Sequence, residues 1–434
     1  MKAKILRLSK EHPISVVILI ALAARVIAAV FSNGFGFESE YFYVETPNAW
    51  LDNVDGTGYD SPRGISLLYV SINYLIFGFF KLFGISNPQW LMFFSRLIHG
   101  VVSVTVVTLG YRIAKLIVDK RLALNIAWVL ALLWFMPYVG VHSLAQTFSL
   151  PFLLYGTLLI TKQERLRNES RNDNLHRTSF FIAGIFFALG FSIWYLGAVL
   201  YLAIIVVLSA RKNIKGAAVS LAAFLPTAGT TQTIPDFIVW GRPFAEFRAF
   251  LNDGVRFSYP LGYYILALLT ILIIAGFIRF YKNGNRLKRY ICAACVVINM
   301  ALLAVTTIMY SNKPEVKAMT YLSKDKDMNL FIVEDVFSDE TKRPPVFYEK
   351  NWTDYIIVNQ QNKDDVAVFA PEADHIIFRE NKNLEDRVEQ MKKHYPNLKH
   401  EVTYKPFFAY IMYKWLNHST TDGCVSIYKV SHEH

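Results

Sequence analysis

Residues 37–64 read FESEYFYVETPNAWLDNVDGTGYDSPRG, and the organisation of the whole sequence depends on them. This acidic loop ends on one cation, Arg63, and a long apolar run lies on each side of it. Its carboxylates are Glu38, Glu40, Glu45, Asp52, Asp55 and Asp60. Function concentrates in loops that rigid elements position, so an acidic loop between two apolar runs indicates a reaction site at a membrane surface.

The composition is that of a multi-pass membrane protein with some soluble mass. Of 434 residues, 53% are hydrophobic and only 18% are charged, which disfavours a soluble enzyme. The net charge of +11 could indicate nucleic-acid binding, but Lys and Arg lie in short clusters between apolar runs, as in cytoplasmic loops. We therefore expect a lipid-bilayer protein with no nucleic-acid partner. The three cysteines predict neither a disulfide framework nor a metal site.

The apolar runs and basic clusters predict nine crossings, with a cytoplasmic N-terminus and the acidic loop, residues 32–63, outside. A crossing needs about 20 apolar residues. Residues 64–86 are predicted as a juxtamembrane or re-entrant helix instead, because a full crossing there would put the basic cluster at residues 112–121 on the outer side. The predicted crossings are 13–31, 90–116, 122–140, 148–160, a hairpin over 180–208 that turns near 194–197, 216–233, 263–278 and 291–310.

The composition changes after residue 310 to mixed polar and apolar sequence. Short runs at 330–333, 355–358, 366–369, 375–378 and 425–430 are typical of strands. Residues 383–396 predict an amphipathic helix with Leu384, Val388 and Met391 on one face and Pro396 at its end. We therefore expect an α-helical polytopic membrane domain, residues 1–315, and a small extracytoplasmic α/β domain, residues 316–434.

The outer side offers the groups that an inverting sugar transfer from a lipid phosphate requires. Glu38 and Glu40 can serve as a general base and a partner that tunes it. Arg63, Arg96 and Lys313, at the outer ends of apolar segments, can hold a phosphate. A merely solvated acidic loop and interfacial snorkelling of the arginines are the alternatives.

A second set of residues is predicted to bind substrate. His142 and Gln146 begin the outer end of one crossing, where either could bind a sugar hydroxyl, although an interfacial histidine often makes only a structural hydrogen bond. Glu45, Asp60 and Arg242, from the outer loops, complete the set. The sequence has no Walker motif, GxGxxG, HExxH or GxSxG, so nucleotide-driven transport and proteolysis lack support.

The order of these motifs resembles the GT-C glycosyltransferases, and within them family 22, the polyprenyl (dolichyl) phosphate mannose-dependent α-mannosyltransferases. The family's His-Pro-Asp-Glu box is similar to residues 37–42, with Glu45 as the further acid. Its Pro-Leu-Arg-Ser element is similar to residues 61–64, and the arginine that opens its next crossing corresponds to Arg96. Looser similarities cover residues 142–146, 240–252 and 312–315.

The resemblance implies an inverting hexosyltransferase that moves mannose from a polyprenyl-phosphate donor to a lipid-linked or polymeric glycan, without metal or cofactor. The family's catalytic Asp falls on Ser39 here, so either Glu40 or Glu38 takes over as base, or the chain uses another donor or acceptor. The C-terminal domain matches no family motif and is a candidate for acceptor binding. The rival hypotheses are a transporter or flippase of a lipid-linked sugar and a structural membrane scaffold.

Overall fold

The structure is a computed structural model that describes residues 12–32, 34–54, 61–170, 177–252, 286–308, 313–335, 343–363, 365, 368–380, 382–406 and 423–431. Over these residues the chain is mostly helical, with one five-stranded sheet near the C-terminus. At this level the predicted fold class is confirmed. The predicted crossing at 263–278 lies outside the described residues.

The first twelve helices precede the sheet. They are α1 (Pro13–Phe31), α2 (Thr46–Leu51), α3 (Leu67–Leu82), α4 (Pro88–Ile117), α5 (Lys120–Leu132), α6 (Met136–Val141), α7 (Ala145–Ser170), α8 (Arg177–Ile193), α9 (Gly197–Ala210), α10 (Ile214–Trp240), α11 (Ala245–Asn252) and α12 (Arg286–Thr307). The break between α8 and α9 confirms the predicted turn in the long apolar run.

The remaining elements form the C-terminal sheet and its helices. They are α13 (Lys313–Leu322), β1 (Leu330–Asp335), β2 (Asp354–Asn359), β3 (His375–Arg379), α14 (Leu384–Lys392), β4 (Leu398–Tyr404) and β5 (Val425–Val430). Four predicted strands and the amphipathic helix are confirmed. Strand β4 was not predicted, and Val368 and Phe369, the described part of the predicted strand 366–369, lie outside the sheet.

Contacts divide the chain into two compact units, and neither is continuous in sequence. The helical unit comprises Met1–Ala28, Gly58–Asn73 and Arg96–Thr307. The sheet unit comprises Ala29–Thr57, Tyr74–Ser95 and Ile308–His434. This grouping places most of the acidic loop with the sheet. The division into domains 1–315 and 316–434 stays a prediction.

The sheet has the strand order β2-β1-β3-β5-β4, in which β1 is parallel to both β2 and β3. Successive side chains of a strand point to opposite faces. Accordingly, Leu330 and Ile332 pack in one buried cluster with α14, whereas Phe331 and Val333 pack in another with α13. Burial on both faces explains why β1 has a continuous apolar run rather than an alternating one.

Within the helical unit, α8 and α10 approach closely through small residues. A Cβ on Gly184 would overlap the carbonyl oxygen of Ser220, so only glycine permits this contact. The hydroxyl of Tyr201 lies 3.1 Å from Ser220 Oγ, and its ring stacks on Phe224 with centroids 4.3 Å apart. Small residues at the crossing and aromatic packing beside it are typical of membrane helices.

Among the described residues, two helices are long and apolar enough to cross a membrane, α1 and α4. Shorter apolar helices are α3, α8, α9 and the part of α12 from Val296 to Thr307. Length and composition support a membrane location weakly, because a buried core helix passes the same test. The nine crossings and the juxtamembrane position of α3 stay predictions.

Candidate active site

Glu40 is buried at the start of a π-helical turn, Tyr41–Glu45. Its Oε2 accepts hydrogen bonds from the backbone N–H groups of Gly36, at 2.7 Å, and Phe37, at 3.2 Å. Two fixed donors on one oxygen hold the carboxylate in a single orientation. Glu38, two residues earlier, is exposed. The structure therefore distinguishes the two candidate bases by their surroundings.

The chain around Glu40 is built into the core of the sheet unit. Phe35, Tyr41 and Val44 belong to the same buried cluster as Phe347 and Tyr348, which form a 3-10 turn after β1. The ring centroids of Phe35 and Tyr348 are 5.7 Å apart. Large aromatic side chains provide most of the buried apolar area in such a cluster, so this contact holds the loop on the sheet.

Two long-range hydrogen bonds reinforce that contact. The backbone N–H of Gly34 donates to Tyr348 Oη at 2.9 Å, and the N–H of Phe347 donates to Glu45 Oε1 at 3.2 Å. Burial raises the pKa of the Glu45 carboxyl to about 8, against the opposing effects of the Phe347 hydrogen bond and the charge of Arg343. Glu45 is thus a buried carboxyl, packed rather than solvated.

The acidic loop is therefore not uniformly solvated over its described residues. Glu40 and Glu45 are buried, whereas Glu38 and Asp52 are exposed. Asp52 pairs with Lys81 at 2.7 Å and accepts a hydrogen bond from Trp352 Nε1 at 3.0 Å. Asp55 and the predicted substrate-binding Asp60 lie outside the described residues.

Lys313 is the first residue of α13, in the sheet unit, and its side chain is half-buried. Its pKa is lowered, first by burial and then by the nearby charge of Lys317. Two residues further on, Glu315 pairs with the buried Arg379 at 3.0 Å, and Arg379 also pairs with Asp335 at 2.8 Å. Lys313 is thus two residues from a member of an ion-pair network, and its phosphate role stays a prediction.

Arg63 lies in the helical unit, in a short loop that a carboxylate holds by the backbone. The N–H groups of Arg63, Gly64 and Ile65 all donate to Glu246 Oε2, at 2.9, 2.7 and 3.1 Å. Consecutive N–H groups that converge in this way form a nest, which binds anions. The Arg63 side chain itself is half-buried.

Arg96 is fully buried on α4. One turn further along the same helix, His99 Nε2 lies 2.7 Å from Tyr69 Oη on α3. Snorkelling keeps a charged head in water, so a fully buried guanidinium disfavours that alternative for Arg96. Its contact with a donor phosphate stays a prediction.

The other predicted substrate-binding residues of the helical unit differ in exposure. His142 is fully buried, with its ring centroid 4.3 Å from that of Tyr138. Gln146 and Arg242 are exposed. His142 is thus packed among its neighbours, whereas Gln146 and Arg242 are accessible. The sugar-binding roles of all three stay predictions.

Sequence reasoning overlooked two buried charged residues of the helical unit. Glu246 had no local signal for this role, because the N–H groups of residues 63–65 that it binds lie some 180 residues away in the chain. Arg25 did have one, since it interrupts the apolar helix α1, and an ionisable residue in such a segment indicates a role. Its guanidinium donates to Ser103 Oγ at 2.8 Å and to the carbonyl of Ala131 at 3.1 Å. Carbonyls in the last turn of a helix lack intrahelical donors, so Arg25 caps α5.

Over the part of the chain that the structure describes, no group of three or more His, Cys, Asp or Glu side chains is arranged to hold a metal ion. The expectation of a metal-free and cofactor-free reaction stays a prediction.

The model of the Alg9-like mannosyltransferase family matches residues 16–252, more than half of the chain. The protein belongs to this family, and the predicted resemblance to family 22 is confirmed. Membership implies a membrane-embedded glycosyltransferase with a sugar donor and a glycan acceptor. The match includes the acidic loop, the nest and Glu246, and it ends before the C-terminal sheet. No curated protein matches the chain.

Proposed function

We propose that this protein transfers a hexose, mannose in the first instance, from a polyprenyl-phosphate donor to a lipid-linked or polymeric glycan. The reaction takes place on the extracytoplasmic side, with inversion at the anomeric carbon. The observation that carries the proposal is the environment of Glu40, a buried carboxylate that two backbone N–H groups orient. Glu40 also lies within the residues that the mannosyltransferase family model matches.

In this reaction the acceptor hydroxyl attacks the anomeric carbon of the donor and its proton passes to Glu40. The bond between the anomeric carbon and the phosphate oxygen breaks, and its electron pair leaves with the polyprenyl phosphate. A base that removes the proton as the bond forms contributes about 10²–10⁴-fold. Arg63, Arg96 and Lys313 would stabilise the charge that develops on the phosphate.

Glu40 is preferred to Glu38 because a base must be held within hydrogen-bond reach of the proton that it removes. The carboxylate of Glu40 is fixed by Gly36 and Phe37, whereas Glu38 is exposed. Glu45, Asp60, His142, Gln146 and Arg242 are proposed to contact the sugars.

The C-terminal sheet is proposed to hold the acidic loop as well as any acceptor. Its 3-10 turn contacts the loop through aromatic packing and two hydrogen bonds. Membership of a transferase family favours an enzyme over the transporter or flippase and over a scaffold without chemistry.

The test is a comparison of Glu40→Gln with Glu38→Gln. Glutamine keeps the size of the side chain and an oxygen acceptor but cannot take the proton. We expect Glu40→Gln to lower the rate of mannose transfer from a polyprenyl-phosphate mannose by about 10²-fold or more, with normal expression and melting temperature. Glu38→Gln is the matched control and should lower the rate less than about threefold.

An unchanged rate in Glu40→Gln would remove Glu40 as the base. A wild-type protein that transfers no sugar from several polyprenyl-phosphate donors would contradict the proposed reaction itself.

A further inference from the structure

The nest at residues 63–65 is closed by a carboxylate of the same chain. One oxygen of Glu246, Oε2, accepts all three backbone N–H groups, from Arg63, Gly64 and Ile65. A nest of this kind needs a residue with positive φ, and Gly64 supplies it with φ +75°. Three hydrogen bonds from consecutive backbone groups to one oxygen fix the loop at this point.

Glu246 makes further hydrogen bonds, through its other carboxylate oxygen and through its backbone N–H. Its other oxygen, Oε1, accepts a hydrogen bond from Trp240 Nε1 at 2.9 Å. Its backbone N–H donates to Asp236 Oδ2 at 3.0 Å. The residue is fully buried in the first turn of α11, near the end of α10. A buried group with fixed partners is a rigid reference point for the loop bound to it.

The attachment acts on the backbone of Arg63 and leaves its side chain half-buried. Because the N–H groups of Arg63 and of the next residue, Gly64, are both bound, the φ and ψ angles of Arg63 are restricted. The direction of its Cα–Cβ bond is restricted with them. A fixed backbone and a fixed Cα–Cβ direction narrow the region that the guanidinium can reach, so less ordering remains when the ligand binds.

We propose that Glu246 is a positioning residue for Arg63 and that, by holding the nest, it aims the guanidinium at the phosphate of the lipid-linked sugar donor. The inference rests on the proposed function for the identity of the donor. It assigns Glu246 no contact with the substrate, so Glu246 acts only through Arg63.

The test is a double-mutant cycle with Arg63→Ala, Glu246→Gln and the double variant. Glutamine cannot present an oxygen to both the nest and Trp240, so it loosens the loop while keeping its volume. The probes are free polyprenyl phosphate, for a dissociation constant, and a polyprenyl-phosphate mannose, for KM and kcat. We expect each single variant to raise the phosphate Kd and the donor KM about tenfold. The double variant should be no weaker than Arg63→Ala alone, because both changes remove one function.

Three further measurements separate positioning from a general loss of structure. Asp119→Asn, at an exposed carboxylate that caps α5 through one backbone N–H, should keep the wild-type Kd and KM. Trp240→Phe removes the hydrogen bond to Oε1 and should raise the Kd about twofold to threefold. Hydrogen exchange in a peptide covering residues 63–66 should be faster in Glu246→Gln than in wild type.

The outcomes distinguish this inference from the proposed function. If the effects of Glu246→Gln and Arg63→Ala on the Kd multiply in the double variant, Glu246 does not act through Arg63 and the inference is wrong. The same holds if Glu246→Gln leaves the Kd unchanged, or if the wild type does not bind polyprenyl phosphate. If the wild type binds polyprenyl phosphate but transfers no sugar, the proposed reaction is wrong. The dissociation constants of the four proteins in the double-mutant cycle still decide the role of Glu246 in that case.

Discussion

Two loops carry the best candidate charges, and they are held in different ways. The loop with Glu40, in the sheet unit, is held by apolar burial, since Phe35 and Val44 lie in the same core as Phe347. The loop with Arg63, in the helical unit, is held by one carboxylate that accepts three backbone N–H groups. The first attachment depends on side-chain volume and the second on backbone geometry, so different substitutions should disrupt each.

The two loops also differ in how exposed their charged groups are. Aromatic packing takes up the apolar side chains of the first loop, and the Glu40 carboxylate is fully buried and accepts hydrogen bonds from Gly36 and Phe37. The nest takes up the backbone of the second loop and leaves the Arg63 side chain half-buried. The carboxylate of Glu40 is thus held by its own hydrogen bonds, whereas Arg63 is held by its backbone.

The largest expected effect is on the apolar attachment. Phe347→Ala removes a buried ring that contacts Phe35 and Phe77, and such changes cost about 3–5 kcal/mol of stability. Phe378→Ala is the matched control, because Phe378 is equally buried but packs on the opposite face of the sheet. Melting temperature should fall similarly in both. Hydrogen exchange at residues 34–45 should be much faster in Phe347→Ala than in the control. The rate of sugar transfer should also fall much further in Phe347→Ala.

Equal exchange at residues 34–45 in the two phenylalanine variants would show that the sheet does not hold the loop through this turn.

The next effect is on the backbone attachment. Gly64→Ala places a Cβ 2.9 Å from Phe250 Cα and keeps a positive φ, which costs about 1–2 kcal/mol in an ordinary residue before any clash. Gly84 has a similar φ of +79° with nothing within 4 Å of its Cβ position, so Gly84→Ala isolates the conformational cost. We expect Gly64→Ala to lower the melting temperature more than Gly84→Ala and to weaken donor binding, measured as KM.

If the two glycine variants behave alike in both measurements, the close approach of Phe250 to the nest has no energetic weight.

Per unit of pH, the smallest expected effect is the change in stability that Glu45 contributes. Its pKa in the fold is about 8, above the ordinary value of 4.5, so the folded protein holds a proton that the unfolded chain has released between these values. Stability from this group is complete below pH 4.5 and is lost as the pH rises through 8, by up to about 1.4 kcal/mol per pH unit. Glu45→Gln should reduce the dependence of the melting temperature on pH, measured from pH 5 to 8.5.

The exposed Glu38→Gln serves as its control and should retain the wild-type slope. A wild-type melting temperature that rises with pH over this range, or a Glu45→Gln variant with the same slope as wild type, would contradict the buried neutral carboxyl.

Much of the fold could be predicted because its signals are local. The helix at α14 follows from the spacing of Leu384, Val388 and Met391 and from Pro396, and the structure buries two of these residues against the sheet. Strand β4 was missed because its sequence, LKHEVTY, is half exposed and owes its conformation to pairing with β5. An edge strand with a polar face carries little periodic signal of its own.

The sequence by itself determined the class of protein, the acidic loop and the short list of charges, because composition, hydrophobic periodicity and motif order are properties of neighbouring residues. Only the tertiary structure decided that Glu40 is buried while Glu38 is exposed. It also decided that the loop packs on a turn some 300 residues later, and that Glu246 holds the backbone of Arg63. Those facts depend on burial and on N–H groups that meet an acceptor across long chain separations, and no local pattern encodes such meetings.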